Sequence, residues 1–228
     1  MLGKLYIVST PIGNLSDITL RAIETLKEVD CIACEDTRVT KKILNFYDIK
    51  SKLITYNSIN ELEKSLKIID MLGRGNTIAL VSDAGTPCVS DPGYRLINSC
   101  YEKKIPVLSI PGASSVIAAL SIGGIPTDSF YFCGFLPRKK GRKTKFEFLS
   151  NLPSTVVVYE SPYRVLKTLK DIRLYMGNRI VAVCKEITKL HESVFRSHLD
   201  DIIVDFENKN IIKGEYVILI AKEGYAVK

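Results

Sequence analysis

A chain of 228 residues with 46% hydrophobic content can bury one large core or two modest ones, which excludes an intrinsically disordered protein. Lys and Arg total 32 against 25 Asp and Glu, and the resulting formal charge of +7 with a pI near 9.0 points to a polyanionic partner. Six cysteines (Cys31, Cys34, Cys88, Cys100, Cys133, Cys184) follow no framework spacing and nothing at the N-terminus resembles a signal peptide, so a reduced, cytoplasmic protein without a disulfide scaffold is expected.

In chain order, Leu5 to Ser9 reads as a strand. Ser16 to Glu28 reads as a helix, with Leu20, Ile23, Leu26 and Lys27 at helical spacing, and the apolar run Cys31 to Cys34 as a second strand. Helices are expected at Thr40 to Tyr47 and Asn60 to Gly73, then a strand at Thr77 to Val81, a helix at Pro92 to Lys103, a strand at Val107 to Ile110 and a helix at Ala113 to Ile122. Such alternation predicts a mostly parallel α/β sheet. Beyond Gly124 the pattern shifts. Strands are expected at Phe130 to Gly134, Thr155 to Tyr159, Arg179 to Cys184, Ser193 to Ser197 and Tyr216 to Ala221, with helices at Arg142 to Ser150, Pro162 to Tyr175 and Leu199 to Glu207. The fold class expected is α/β, in two α/β domains, residues 1–123 and 124–228, with a cofactor cleft between them.

Two segments invite a misreading. Cys31-x-x-Cys34 has the spacing of half a metal site, but residues three apart on a strand face opposite ways and no second pair completes it, so packed thiols and no metal are expected. Ile105 to Thr127 runs 23 residues without a charge, the length of a membrane span. Pro106, Pro111, Gly112, Gly123, Gly124 and Pro126 divide it, so a buried strand, loop and helix is expected and no membrane partner.

The apolar strand Ile78 to Val81 runs into Ser82-Asp83-Ala84-Gly85-Thr86-Pro87. A small-residue loop at the carboxyl end of a buried strand lets backbone approach a ligand, and Asp83 adds an acceptor for hydroxyl or amino groups. An ordinary turn explains the same residues about as well. The loop Ser9 to Leu15 links the first strand to its helix, and Glu35 and Asp36 follow Gly13 by 22 and 23 residues, as a ribose-binding acid would. Gly13 stands alone where a dinucleotide fingerprint needs three glycines, so that reading fails.

Taken together, several motifs are similar to those of the tetrapyrrole methylase superfamily, in its ribosomal RNA methyltransferase branch. They are Val8-Ser-Thr-Pro-Ile-Gly-Asn-Leu-x-Asp-Ile-Thr19, Glu35-Asp-Thr-Arg38, Val81-Ser-Asp-Ala-Gly-Thr-Pro87, Asp91-Pro-Gly93, Pro111-Gly-Ala-Ser114, Gly134-Phe-Leu-Pro-Arg138, Tyr159-Glu-Ser-Pro162 and Lys185-Glu-Ile-Thr-Lys189, in chain order, within a resemblance that runs from residue 5 to residue 221. The resemblance implies a two-domain enzyme, usually a homodimer, that uses S-adenosylmethionine to methylate the ribose 2′-hydroxyl of a cytidine in the decoding region of 16S rRNA, free or in the small ribosomal subunit. It implies a cofactor site from Pro11, Ile12, Asp83, Gly85, Thr86, Ser114 and Ser115, closed by Tyr159, Cys184, Lys185, Gly214 and Glu215. Where the family often reads His-x-His-Asn-Glu this chain has Asn57-Ser58-Ile59-Asn60-Glu61, and where it often reads Glu-Ser-Pro-His-Arg it has Tyr163. No histidine base acts at those positions, and His191 and His198 are expected to be structural.

The cofactor's sulfonium brings an already activated methyl group, so the protein must orient the 2′-oxygen and help remove its proton. The base is expected among Glu35, Asp36 and Glu160, whose pKa a closed site can raise, although Glu35 or Asp36 can equally serve only to hold Arg38. Arg138, Lys139, Lys140, Arg142, Lys143 and Lys145 put six positive charges into eight residues. Pro137 and Gly141 suggest a mobile loop that grips RNA phosphates, with Tyr56 or Phe135 stacking on a splayed base. Two other functions stay open on the residues: a tetrapyrrole C-methyltransferase, and an RNA-binding assembly factor with a relic cofactor pocket.

Overall fold

The computed structural model describes residues 2–209 and 213–226. The chain divides into two units, Met1–Ser114 and Ser115–Lys228. That division falls one short helix before the boundary expected from sequence.

In the first unit β1 (Leu5–Val8), α1 (Leu20–Glu28), β2 (Cys31–Cys34), α2 (Thr37–Phe46), β3 (Lys52–Thr55), α3 (Glu61–Gly73), β4 (Ile78–Val81), α4 (Tyr94–Glu102) and β5 (Val107–Ile110) alternate. The strands form one parallel sheet in the order β3-β2-β4-β1-β5. Helices cover both faces, so the inner strands read as unbroken apolar runs: every residue of β2 and β4 is buried. On one face Leu5, Ala33, Ile78 and Leu80 pack with Ile68 and Leu72 of α3 and Leu96 and Cys100 of α4. On the other, Val8, Ile32, Ala79 and Val81 pack with Ala22 and Leu26 of α1 and Leu44 of α2. Cys31 belongs to the first cluster and Cys34 to the second, as their spacing on a strand requires. The neighbours β1 and β4 are therefore followed by helices on opposite faces. This is the arrangement that opens a crevice at the carboxyl edge of an α/β sheet.

The second unit holds α5 (Ser115–Ile122), β6 (Phe130–Phe135), α6 (Arg142–Ser150), β7 (Thr155–Glu160), α7 (Val165–Met176), β8 (Ile180–Lys185), β9 (Ser193–His198), α8 (Leu199–Lys209) and β10 (Tyr216–Ile220). Its sheet runs β6-β7-β10-β8-β9, with β6 and β7 paired in parallel and the other neighbours antiparallel. Phe146 and Leu149 of α6, Leu169 and Ile172 of α7, and Ile202 and Phe206 of α8 bury one face against Val156, Val158, Val181, Val183, Ile218 and Ile220. α5 packs on β10.

The structure departs from expectation in several places, beginning with α1, which starts at Leu20 rather than Ser16 because Leu15–Asp17 forms a separate 3-10 turn and Thr19 caps the helix. β3 has no counterpart in the sequence reading. α2 begins at Thr37 rather than Thr40, because the Asp36 carboxylate accepts the Arg38 N–H at 2.8 Å and caps the first turn. The uncharged stretch from Ile105 is not wholly buried, since β5 is a sheet edge with Leu108 and Ser109 exposed. The run from Arg138 to Lys145 is not a mobile loop: its second half is the opening turn of α6. Among the described residues no helix is long and apolar enough to cross a membrane.

Candidate active site

Loops after β1, β2, β4 and β5 are joined by hydrogen bonds at the carboxyl edge of the first unit's sheet. Thr10 and Gly85 exchange backbone hydrogen bonds of 2.9 and 3.1 Å, an isolated antiparallel bridge that ties the β1 loop to the β4 loop. The Thr10 hydroxyl also donates to the Ser82 carbonyl at 3.1 Å. Ser9 and Thr86 share a hydroxyl contact of 2.9 Å, and Thr86 Oγ1 reaches the Ala113 carbonyl at 3.2 Å, which brings in the β5 loop. The Asp36 N–H donates to Asp83 Oδ1 at 3.0 Å and adds the β2 loop. Gly85 sits at the junction with φ +80, where a Cβ would lie 3.3 Å from Ile12 Cγ2 and 3.7 Å from the Ala113 carbonyl. Glycine adopts that dihedral without strain, and a side chain there would also press on Ile12.

This edge gathers Pro11, Ile12, Asp83, Gly85 and Thr86, five of the residues expected to hold the cofactor. Ser114 ends the same unit, at the close of the β5 loop. The second oxygen of Asp83 has no protein donor among the described residues, and the carboxyl is partly buried. Ser9, Thr10 and Ala113, which knit the loops, were not singled out from sequence. They lie inside the Ser9 to Leu15 and Pro111 to Ser114 motifs, where adjacency was the available signal.

The edge is acidic. Burial, followed by the charges of Asp83, Asp91 and Asp36, pushes the Glu35 carboxyl above its ordinary range, while the Asp83 N–H partly offsets this. Asp83 and Asp91 are also raised, burial being the leading cause in each. Asp91 was missed as a member of this group because it follows Asp83 by eight residues in a segment that reads as turn.

The partners of two of the three expected bases argue against that role. Hydrogen bonds from Arg38, including an ion pair of 2.6 Å, hold Asp36 down to about 2, and a carboxylate so acidic accepts protons poorly at neutral pH. Glu160 has a fully buried side chain whose oxygens are filled. Oε1 accepts from Ser161 N–H (2.7 Å) and from Arg164 Nε (2.7 Å) and Nη2 (2.6 Å); Oε2 accepts the Thr168 hydroxyl (2.6 Å). Thr168 in turn accepts from Arg142 Nη2 at 2.8 Å, and Arg142 Nε pairs with Asp171 at 2.7 Å. Arg142 Nη1 donates to the Pro137 carbonyl at 3.0 Å. The result is a buried polar chain, Arg164–Glu160–Thr168–Arg142–Asp171, that pins the segment before α6. Its signal in the sequence was the four- and three-residue spacing of Arg164, Thr168 and Asp171 along one helix face.

The basic run therefore splits. Arg142 is buried and committed, with its guanidinium also 5.1 Å from the Phe146 ring, so it is not an RNA contact. Lys145 bonds the Tyr131 hydroxyl at 3.2 Å and lies over the Tyr131 and Phe148 rings. Arg138, Lys139, Lys140 and Lys143 are exposed. Of the two expected stacking residues, Phe135 is 59% exposed, whereas Tyr56 is 1% exposed and bonded to Glu61 and Ser65, which removes it from that role.

The second unit's expected cofactor residues are separated by burial. Ser115 and Tyr159 share a hydroxyl contact of 2.7 Å, and the Tyr159 ring meets Phe132 and Phe135. Cys184 is fully buried and burial pushes its thiol up to about 12, so its side chain is packing, not a ligand contact. Glu186 ties the Lys185 loop to the Gly214 turn: its N–H donates to the Glu215 carbonyl and its Oε1 accepts the Glu215 N–H, both at 2.9 Å. Asn57, where the family often has histidine, accepts from the Ile59 and Asn60 N–H groups and closes a turn. Ile59 and Tyr163 are exposed, as are His191 and His198.

A family model described as Tetrapyrrole (Corrin/Porphyrin) Methylases matches residues 4–203. The chain is 48% identical to a protein of Halalkalibacterium halodurans named ribosomal RNA small subunit methyltransferase I, over 99% of this chain and 78% of that one. A Thermotoga maritima protein of the same name is 44% identical over 97% of this chain and 100% of its own. Among solved structures, a diphthine synthase superposes with a TM-score of 0.77 at 14% identity, covering 98% of this chain and 92% of the other. A uroporphyrin-III C-methyltransferase of Thermus thermophilus, complexed with S-adenosyl homocysteine, gives 0.65 at 17% identity, covering 96% and 97%.

Proposed function

The chain belongs to the tetrapyrrole methylase family, among its ribosomal RNA small subunit methyltransferase I members, and from that premise we propose that it methylates the ribose 2′-hydroxyl of a cytidine in the decoding region of 16S rRNA. The observation that carries the reading is the hydrogen-bonded edge around Asp83 and Gly85, in a chain 48% identical over nearly its full length to a protein of that name. When bound, S-adenosylmethionine supplies a sulfonium-activated methyl group. The residues present fit it. Asp83 offers an acceptor for ribose hydroxyls or an amino group, and the backbone of Pro11, Ile12, Gly85 and Thr86 can approach closely because Gly85 carries no side chain. Ser114 and Ser115 and the second unit's Tyr159, Lys185, Gly214 and Glu215 are assigned to the cofactor by family resemblance, Cys184 through its backbone only.

Glu35 takes the 2′-hydroxyl proton, since a carboxyl raised by burial and like charge is the better acceptor near neutral pH. Arg138, Lys139, Lys140 and Lys143 hold phosphates, and Phe135 offers a face for a base. The protein acts as a homodimer in the cytoplasm, on free rRNA or the small ribosomal subunit. The test is transfer of labelled methyl from S-adenosylmethionine to small subunits and 16S rRNA that lack the modification, with the product mapped as an alkali-resistant linkage. A folded protein that binds the cofactor but labels neither RNA refutes the reading.

A further inference from the structure

We propose that the groove between α2 and β3 of the first unit is a second contact surface for single-stranded RNA, an inference that rests on the rRNA reading above. The depression is ≈ 700 Å³ and is bordered by Lys41 and Lys50, which come from two different segments, with Asn45 beside them. Leu44 and Ile49, 3% and 5% exposed, form an apolar floor together with Leu53. The volume lies in the ~300–1,000 Å³ range of small-ligand sites and admits a nucleotide. Between Thr37 and Thr55 the chain carries Arg38, Lys41, Lys42, Lys50 and Lys52 against Asp48 alone. Arg38 is bound to Asp36, but none of the four lysines enters an ion pair among the described residues.

Lysines on an exposed helix are ordinarily solvated. Here two lysines from separate elements border one depression of mixed lining, to which Leu53 gives apolar surface and Thr37, Asn45 and Ser51 give polar surface. That arrangement suits a nucleotide, whose base and sugar present both apolar faces and hydrogen-bonding edges and whose phosphate needs a cation. The groove begins at Thr37, one residue after Asp36, whose N–H holds Asp83. An RNA strand whose 2′-hydroxyl is presented at Glu35, two residues before Thr37, can therefore continue along α2 without leaving the unit. At the far end of that helix Phe46 is 63% exposed. RNA is chosen over an acidic protein because the proposed reaction already delivers a polyanion to this edge.

The test is the double variant Lys41→Ala/Lys50→Ala in the full chain, with the Lys139→Ala/Lys140→Ala variant in parallel, binding small subunits and 16S rRNA at several salt concentrations. The expected result is several-fold weaker RNA binding with a salt slope shallower by about 1.4, two contacts at about 0.7 each. Cofactor affinity and thermal midpoint should stay at wild-type values. An unchanged slope and affinity, in a preparation whose wild type binds and methylates RNA, overturns this inference and leaves the function standing. A wild type that binds no RNA refutes the function reading, and the inference falls with it. Loss of a dimeric mass in the variant, with RNA affinity intact, assigns the groove to a second copy of the chain and likewise overturns it.

Discussion

Glu35, Asp36 and Glu160 are equivalent carboxylates in the sequence and differ only in what folding places beside them. Asp36 spends its charge on Arg38 and a helix cap, Glu160 spends its oxygens on four donors, and Glu35 is left among like charges. Glu35→Gln should therefore lower methyl transfer by roughly 10²- to 10⁴-fold with cofactor affinity retained, whereas Asp83→Ala should weaken cofactor binding in calorimetry. Equal turnover in Glu35→Gln would exclude it as the base. The wild-type rate should climb with pH through a pKa above the ordinary carboxylate range. Stability follows the opposite sense on this edge. Glu35, Asp83 and Asp91 are raised by folding, so their contribution is complete below the ordinary carboxyl values and is lost as pH rises through the raised ones. Asp36, held at about 2, contributes above 3.8 and loses that contribution as pH falls toward 2. Glu35→Gln should therefore gain thermal midpoint relative to wild type as pH rises through the raised Glu35 value, Asp36→Asn should lose midpoint relative to wild type above 3.8, and curves parallel to wild type would show that neither group is coupled to folding.

At the scale of elements, the network from Arg164 to Asp171 joins the end of β7 to α7 and to the carbonyls that precede α6. Removing one member of a buried ionic pair leaves the other uncompensated, so Arg142→Ala should cost about 3–5 kcal/mol in chemical denaturation, while exposed Lys143→Ala should change stability by less than about 0.5 kcal/mol. A mild Arg142→Ala would mean that the segment is held by something else. Glu160→Gln should destabilise without altering the pH limb assigned to Glu35. Most helices and strands were legible in the sequence because apolar period and turn residues agreed, as in Ile78–Val81 and Leu20–Glu28. β3 was not, since Lys52–Thr55 is a four-residue edge strand with exposed ends and so carries little alternation. The functional loops were legible as motifs. Which acid lacked a cationic partner, and which arginine of the basic run was buried, depended on Thr168 and Asp171, whose spacing with Arg164 marks one helix face but does not show that this face meets Arg142.

For the whole molecule, the expected homodimer needs an apolar surface that repeats on each copy, and the uncharged stretch from Ile105 to Thr127 supplies only scattered exposure at Leu108, Ile117 and Ile122. A denser stripe lies on α3 and α4, which pack side by side. Leu62 and Leu66 are 67% and 76% exposed, Ile59 just before α3 is 95% exposed, and Tyr94 and Tyr101 of α4 are 74% and 70% exposed. Exposed apolar side chains on two helices that pack together offer a candidate interaction surface, and a surface shared by identical chains pairs about a two-fold axis. A homodimer formed through this face would bury the same leucines and tyrosines of each chain against its partner. Leu62→Asp/Leu66→Asp places two carboxylates into that contact and changes nothing in the core, because neither side chain is buried. Light scattering at micromolar concentration should give a dimeric mass for the wild type and a monomeric mass for this variant, with the far-ultraviolet spectrum unchanged. A variant that remains dimeric would move the contact off the α3 and α4 face, and a monomeric, fully active wild type would exclude the dimer itself.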